Sequence, residues 1–143
     1  MVQRQSGYKD RFDYRVDLMR RRNEVTASLG GVVLARSERT ILVDEQNHGL
    51  VFYFPRADVD MSALKPVPGR TTFCPYKGEA VYWRLEDGDE PVAWSYQEPF
   101  PEVAAICNMV AFYQDRATVS LGVAATVFDK QDAGVSGGGN KSS

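Results

Sequence analysis

Five consecutive apolar residues, Leu50-Val51-Phe52-Tyr53-Phe54, are followed at once by Pro55. Successive side chains of a strand point to opposite faces, so a strand of this composition is apolar on both. Such a strand is central and needs structure packed above and below it. Pro55 has no amide to donate and ends it. Whatever else the chain does, it must build two layers around this segment.

The flanking sequence supplies further short strands. Residues 13–20 alternate, with Tyr14, Val16 and Leu18 on one side, and Arg21-Arg22-Asn23 turns the chain. Residues 24–29 alternate again through Val25, Ala27 and Leu29. Gly30-Gly31 stands where a two-residue hairpin needs positive φ, and residues 32–37 return as its partner. Residues 40–44 are short and β-branched, and 46–49 are a loop by composition. Residues 58–64 read as a loop with a short strand near 61–64, and residues 65–69, Lys-Pro-Val-Pro-Gly, as an extended linker. A brief strand at 71–74 stops at Pro75. Segments 79–85 and 91–96 flank an acidic loop and form a hairpin that carries Tyr82, Trp83, Trp94 and Tyr96. Pro101 with Glu102 beside it opens a short helix near 101–107, stopped by Asn108. Segments 110–113 and 117–121 read as a final hairpin. The expected fold is mostly antiparallel β with one short helix, either a compact barrel or a pair of packed sheets.

Length and composition bound the rest. The chain has 143 residues, 43% hydrophobic and 25% charged, as expected of one ordinary globular domain. A chain of this size buries roughly 68–70% of its unfolded surface and needs no staple. Two cysteines, Cys74 and Cys107, do not make a disulfide framework. No apolar run reaches the roughly 20 residues of a membrane helix, and the N-terminus lacks the apolar core of a signal peptide. We expect a cytoplasmic protein without membrane association. Net charge is −2, divided as +4 over residues 1–36 and −6 over the remainder. Arg20-Arg21-Arg22 is the one dense basic cluster, and the acidic remainder repels phosphate backbones, so no nucleic-acid partner is expected. Residues 1–12 read as a flexible arm, 13–128 as a single domain, and 129–143 as a disordered Gly/Ser-rich tail.

Several motifs then fall in a recognisable order. They are Ala35-Arg36-Ser37, Glu45, Val51-Phe52-Tyr53-Phe54-Pro55, Asp58-Val59 and Thr72-Phe73-Cys74-Pro75-Tyr76-Lys77-Gly78. Tyr82-Trp83, Ala93-Trp94-Ser95-Tyr96, Pro99-Phe100-Pro101-Glu102 and Ala111-Phe112-Tyr113 follow. Over roughly residues 14–121 this pattern closely resembles the DUF427 family, a domain of unknown function. The resemblance implies a β-tent, two small antiparallel sheets meeting at an angle. It implies no established activity, although a nucleotidyltransferase label is sometimes attached to the family. Related β-tents often hold zinc between two Cys-x-x-Cys pairs. This chain has no such pair, so neither a metal nor another cofactor is expected.

Candidate site residues follow from both readings. Cys74 with Lys77 three residues on could form an activated thiol, or a small buried Cys beside a structurally paired Lys. Glu45 ends a strand and Lys77 opens a turn, and both are characteristic of the family pattern. They could form an acid/base couple, a clamp for a polar ligand, or a structural ion pair. Arg39 is a further candidate for a carboxylate or phosphate group. Tyr53, Tyr82, Trp94 and Tyr96 could wall a cage for a planar or cationic ligand, or simply fill the core. Asp58-Val59-Asp60 has metal-site spacing but reads better as loop acids capping backbone amides, and the single histidine, His48, as a surface turn residue. Three functions are compatible with these residues. The first is binding of a small polar or aromatic ligand. The second is an enzyme on the same pocket, through Glu45 and Lys77 or through Cys74. The third is an interaction or structural domain. Monomer and homodimer both fit.

Overall fold

The computed structural model describes residues 14–122. The arm placed at 1–12 and the tail at 129–143 lie outside the described residues. Ten strands form two antiparallel sheets. They are β1 (Val16–Arg20), β2 (Val25–Leu29), β3 (Val32–Ser37), β4 (Ile41–Glu45) and β5 (Gly49–Phe54), then β6 (Leu64–Cys74), β7 (Gly78–Leu85), β8 (Pro91–Tyr96), β9 (Val110–Phe112) and β10 (Thr118–Leu121). Seven make one sheet in the order β1-β4-β5-β9-β8-β7-β6, and three make the other, β10-β2-β3. The chain is mostly β, and the described strands do not close into a barrel.

The apolar run sits where its composition demands. Tyr53 and Phe54 are neighbours in β5, 1% and 0% exposed, and they enter different cores. Phe54 joins Trp83, Ala93 and Phe112 against Val25, Ala27, Leu34 and Ala35 of the small sheet. Its ring meets that of Phe112 edge-on at 5.7 Å. Trp83 brings a polar atom into this layer and satisfies it, donating from Nε1 to Ser95 Oγ at 3.1 Å. Tyr53 joins Ile41, Val43, Ala80, Tyr96 and Ala111 on the other face, under Val103 and Ile106. Leu50, at the start of the run, is 52% exposed, so only the far end of the segment is central.

The glycine hairpin forms as its sequence requires. Gly30 and Gly31 have φ of 59° and 83°, and β2 pairs with β3 around them. Asn108 takes the left-handed conformation at φ 61°. The helix near 101–107 is a 3-10 segment, Pro101–Ile106, kinked at Val103, and it buries Val103 and Ile106. Residues 65–69 are not a linker. They belong to β6, with a register shift between Pro66 and Thr71. Prolines are tolerated there because β6 is the last strand of its sheet. Residues 61–63 form a 3-10 turn capped by Asp60 instead of a strand. The expected hairpin of 110–113 with 117–121 does not form. Strand β9 is already paired on both sides, with β5 and β8, so β10 has no free edge there and crosses to β2 in the small sheet. No helix among the described residues is long and apolar enough to cross a membrane.

Candidate functional site

The face of the large sheet that points away from the small one carries the chemistry. Strand alternation aims Val43 and Glu45 of β4, Val51 and Tyr53 of β5, and Trp94 and Tyr96 of β8 to that side. With Tyr82 of β7 they line a cavity of about 350 Å³. Cys74, Lys77, His48, Gly49 and Tyr113 complete its lining. Glu45, Lys77, Tyr53 and Tyr96 are buried and form the floor, whereas Tyr82, Trp94 and Tyr113 are only half-buried and mark the mouth.

Glu45 and Lys77 meet although β4 is second and β6 last in the sheet order. Their contact means that the sheet curls around the cavity until its two ends face each other. Lys77 Nζ donates to Glu45 Oε1, and the side chains are 9% and 6% exposed. Tyr14 OH donates to Glu45 Oε2 at 2.7 Å, and the Tyr14 ring stacks on Tyr76 at 3.8 Å. Burial alone would push the Glu45 carboxyl up. The hydrogen bonds from Lys77 and Tyr14, with His48 nearby, outweigh it and hold Glu45 below the usual carboxylate range. The turn that delivers Lys77 is fixed at both ends. Its amide donates to Cys74 O at 3.2 Å, and Phe100 N donates to Lys77 O at 3.0 Å. Gly78 follows at φ 121°, where a Cβ would sit 3.3 Å from Glu98 O.

The aromatic wall is also ordered by polar contacts. Trp94 Nε1 donates to Tyr53 OH at 3.1 Å, and the two rings meet edge-on at 6.3 Å. Trp94 packs against Tyr113 at 4.8 Å on its other side. Tyr82 OH shares a hydrogen bond of 2.5 Å with Thr72 Oγ1. Burial raises the hydroxyls of Tyr53 and Tyr96 well above the usual phenol range, so both are neutral groups. Tyr96 is 7% exposed, and its hydroxyl has no hydrogen-bond partner among the described residues. Cys74 Sγ lies 3.8 Å from Lys77 Nζ on the same cavity.

Comparison with known proteins bears on this arrangement. A family model described as a domain of unknown function (DUF427) matches residues 17–122. The chain belongs to the DUF427 family. No curated protein matches it. In this DUF427 domain, seven of the residues singled out in the sequence share one cavity: Glu45, Cys74, Lys77, Tyr53, Tyr82, Trp94 and Tyr96.

Arg39 does not join them. Its Nη2 reaches both oxygens of Asp58, at 3.0 and 3.2 Å, and Ser37 Oγ donates to the same carboxylate at 2.6 Å. The Ser37 hydrogen bond, opposed by burial and helped by Arg39, keeps Asp58 below its usual range. Asp60 bonds Ser62 and caps a turn, so the Asp-x-Asp pair is divided between two structural tasks. Among the described residues no group of three or more His, Cys, Asp or Glu could hold a metal. Sequence reasoning missed His48, Tyr113 and Tyr14. His48 Nε2 is 3.6 Å from Glu45 Oε2, and the signal was its place three residues after Glu45 in a tight turn. Tyr113 lies two residues beyond Ala111 and so shares its face, which the expected terminal hairpin obscured.

Proposed function

We propose that this DUF427 domain binds a small planar, polar ligand in the cavity between its curled sheet ends. One observation carries the reading. A cavity of about 350 Å³ has aromatic walls, with Tyr96, Glu45 and Lys77 as polar side chains at its floor. Mostly apolar cavities with a few convergent polar groups are the usual form of small-molecule sites, and the Tyr96 hydroxyl, which bonds no described residue, is free to donate to a ligand. Glu45 and Lys77 offer further polar anchors beside it. A thermal-shift and NMR screen of small ring compounds tests the proposal. Binders should raise the melting temperature of the wild type, lose most affinity in Trp94→Ala, and lose a smaller part in Tyr96→Phe. Binders that perturb no cavity resonance would refute it.

A second reading, catalysis at the same place, is favoured by Cys74 Sγ opening on the cavity 3.8 Å from Lys77 Nζ. Here the thiol is the nucleophile, or the Glu45–Lys77 couple moves a proton. Turnover of a bound compound that is lost in Cys74→Ser or Glu45→Gln would select this reading. The interaction-domain reading draws less support. The aromatic side chains face the cavity, and the exposed large hydrophobics among the described residues are aliphatic: Val32, Val33, Leu50 and Leu121.

A further inference from the structure

Two guanidinium groups stand at the mouth of the cavity, outside its lining. Arg70 Cζ lies 5.7 Å from the centre of the Tyr82 ring, and Arg116 Cζ lies 4.6 Å from that of Tyr113. Those two rings are half-buried members of the cavity wall, so the cations sit where the cavity meets solvent. Both are held there. Arg116 Nη1 donates to Pro91 O, and its amide closes a turn onto Tyr113 O at 3.0 Å. Arg70 follows Gly69, at φ 76°, inside the irregular stretch of β6 between Pro66 and Thr71. An irregularity of this kind re-aims a side chain next to a site. Both guanidiniums also act on the Tyr113 hydroxyl, pulling against the upward push of burial and of Tyr82.

What these arginines lack is an acid. Among the described residues Arg15, Arg36, Arg39 and Lys77 all have carboxylate partners, whereas Arg70 and Arg116 form no ion pair. Other described cations, Arg20, Arg21, Arg22, Arg56, Lys65 and Arg84, also form no ion pair, but Arg70 and Arg116 are the ones stacked on rings of the cavity wall. The floor is different. Its one cation, Lys77, is already neutralised by Glu45, and its tyrosines are uncharged, so a charged group seated there would meet no free counter-charge. The polarity of the site therefore runs from a neutral, hydrogen-bonding floor to a cationic mouth.

We infer that the ligand is a planar ring compound bearing one anionic substituent, a phosphate or a carboxylate. The ring lies between Trp94 and the tyrosines, and the anion projects outward to Arg70 and Arg116. A guanidinium presents its donors as a planar fork that matches the oxygens of either group. This inference rests on the cavity reading above and adds the charge of the ligand to it.

Matched pairs of probes test it: indole-3-acetate against indole-3-acetamide, and adenosine monophosphate against adenosine. Each pair keeps the ring and changes the charge. Affinities are read from NMR titration at low and high salt. In at least one pair the anionic member should bind roughly fivefold to tenfold more tightly, the scale of two solvent-exposed charge contacts. That preference should shrink with salt and vanish in Arg70→Gln/Arg116→Gln, with the neutral member's affinity unchanged. The pair that shows it distinguishes carboxylate from phosphate. Equal binding of both members in each pair, or a preference that survives the double substitution, overturns this inference and leaves the cavity reading standing. Binding of no probe at millimolar concentration overturns both.

Discussion

Removing Lys77 while keeping Glu45 should damage this protein more than any surface substitution. Both side chains are at least nine-tenths buried, and each is the other's main compensation for leaving water. Taking one partner from such a pair typically costs about 3–5 kcal/mol, because the remaining charge stays buried alone. In Lys77→Met, Glu45 keeps Tyr14 and the more distant His48. The expected loss is therefore at the lower end, about 3 kcal/mol, or about 10 °C in melting temperature for a domain of this size. The pH dependence follows from linkage. In the wild type the folded-state pKa of Glu45 is depressed. Its contribution is present above the unfolded carboxylate value, about 4.3, and is lost as pH falls through the folded value. In Lys77→Met burial dominates and the folded pKa rises above the unfolded one, so the variant's deficit is greatest at neutral pH and shrinks on acidification. Urea unfolding at pH 7 and pH 5, followed by tryptophan fluorescence, measures both. Adding Glu45→Gln to Lys77→Met should recover most of the loss, since a neutral amide can still accept from Tyr14. A single-variant cost below about 1 kcal/mol, or a double variant as unstable as the sum of the two single changes, would refute the reasoning.

Three smaller perturbations test other parts of the fold. Thr40 is fully buried and its Oγ1 has no partner, so Thr40→Val should be neutral or stabilising by up to about 1 kcal/mol in the same unfolding assay. Gly78→Ala should destabilise by about 1–3 kcal/mol, through its positive φ and the close Glu98 carbonyl, while Gly88→Ala, which meets nothing within 4 Å, should stay within about 0.5 kcal/mol. Phe54→Ala opens a void between the sheets and should cost about 3–5 kcal/mol.

Much of this architecture was legible from local pattern, because the patterns concerned are local. A strand apolar on both faces has one solution, and Tyr53 and Phe54 occupy it. Two adjacent glycines between alternating runs have one solution too. The pairing of Glu45 with Lys77 came through a family resemblance, not through spacing, since the two are 32 residues apart and meet only because the sheet curls. What failed were questions of competition. Nothing in residues 110–121 says that both edges of β9 are already occupied. Nothing in Lys65-Pro66-Val67-Pro68-Gly69 says that it lies at a sheet edge, where missing amides do no harm. Arg39 had a nearer acid, Asp58, than any ligand in the cavity, and only three-dimensional proximity reveals that.

The curl of the large sheet has a mechanical consequence. Its first and last strands, β1 and β6, are not hydrogen-bonded to one another. Among the described contacts across the place where the sheet ends meet are the side-chain pairs Glu45 with Lys77 and Tyr14 with Tyr76. Parting the ends there breaks no strand ladder between β1 and β6, so widening the cavity at that point costs less than opening the interior of the sheet. Hydrogen exchange should show it directly, with amides of the outer strands exchanging well before those of β5, β8 and β9, where every strand has a neighbour on both sides.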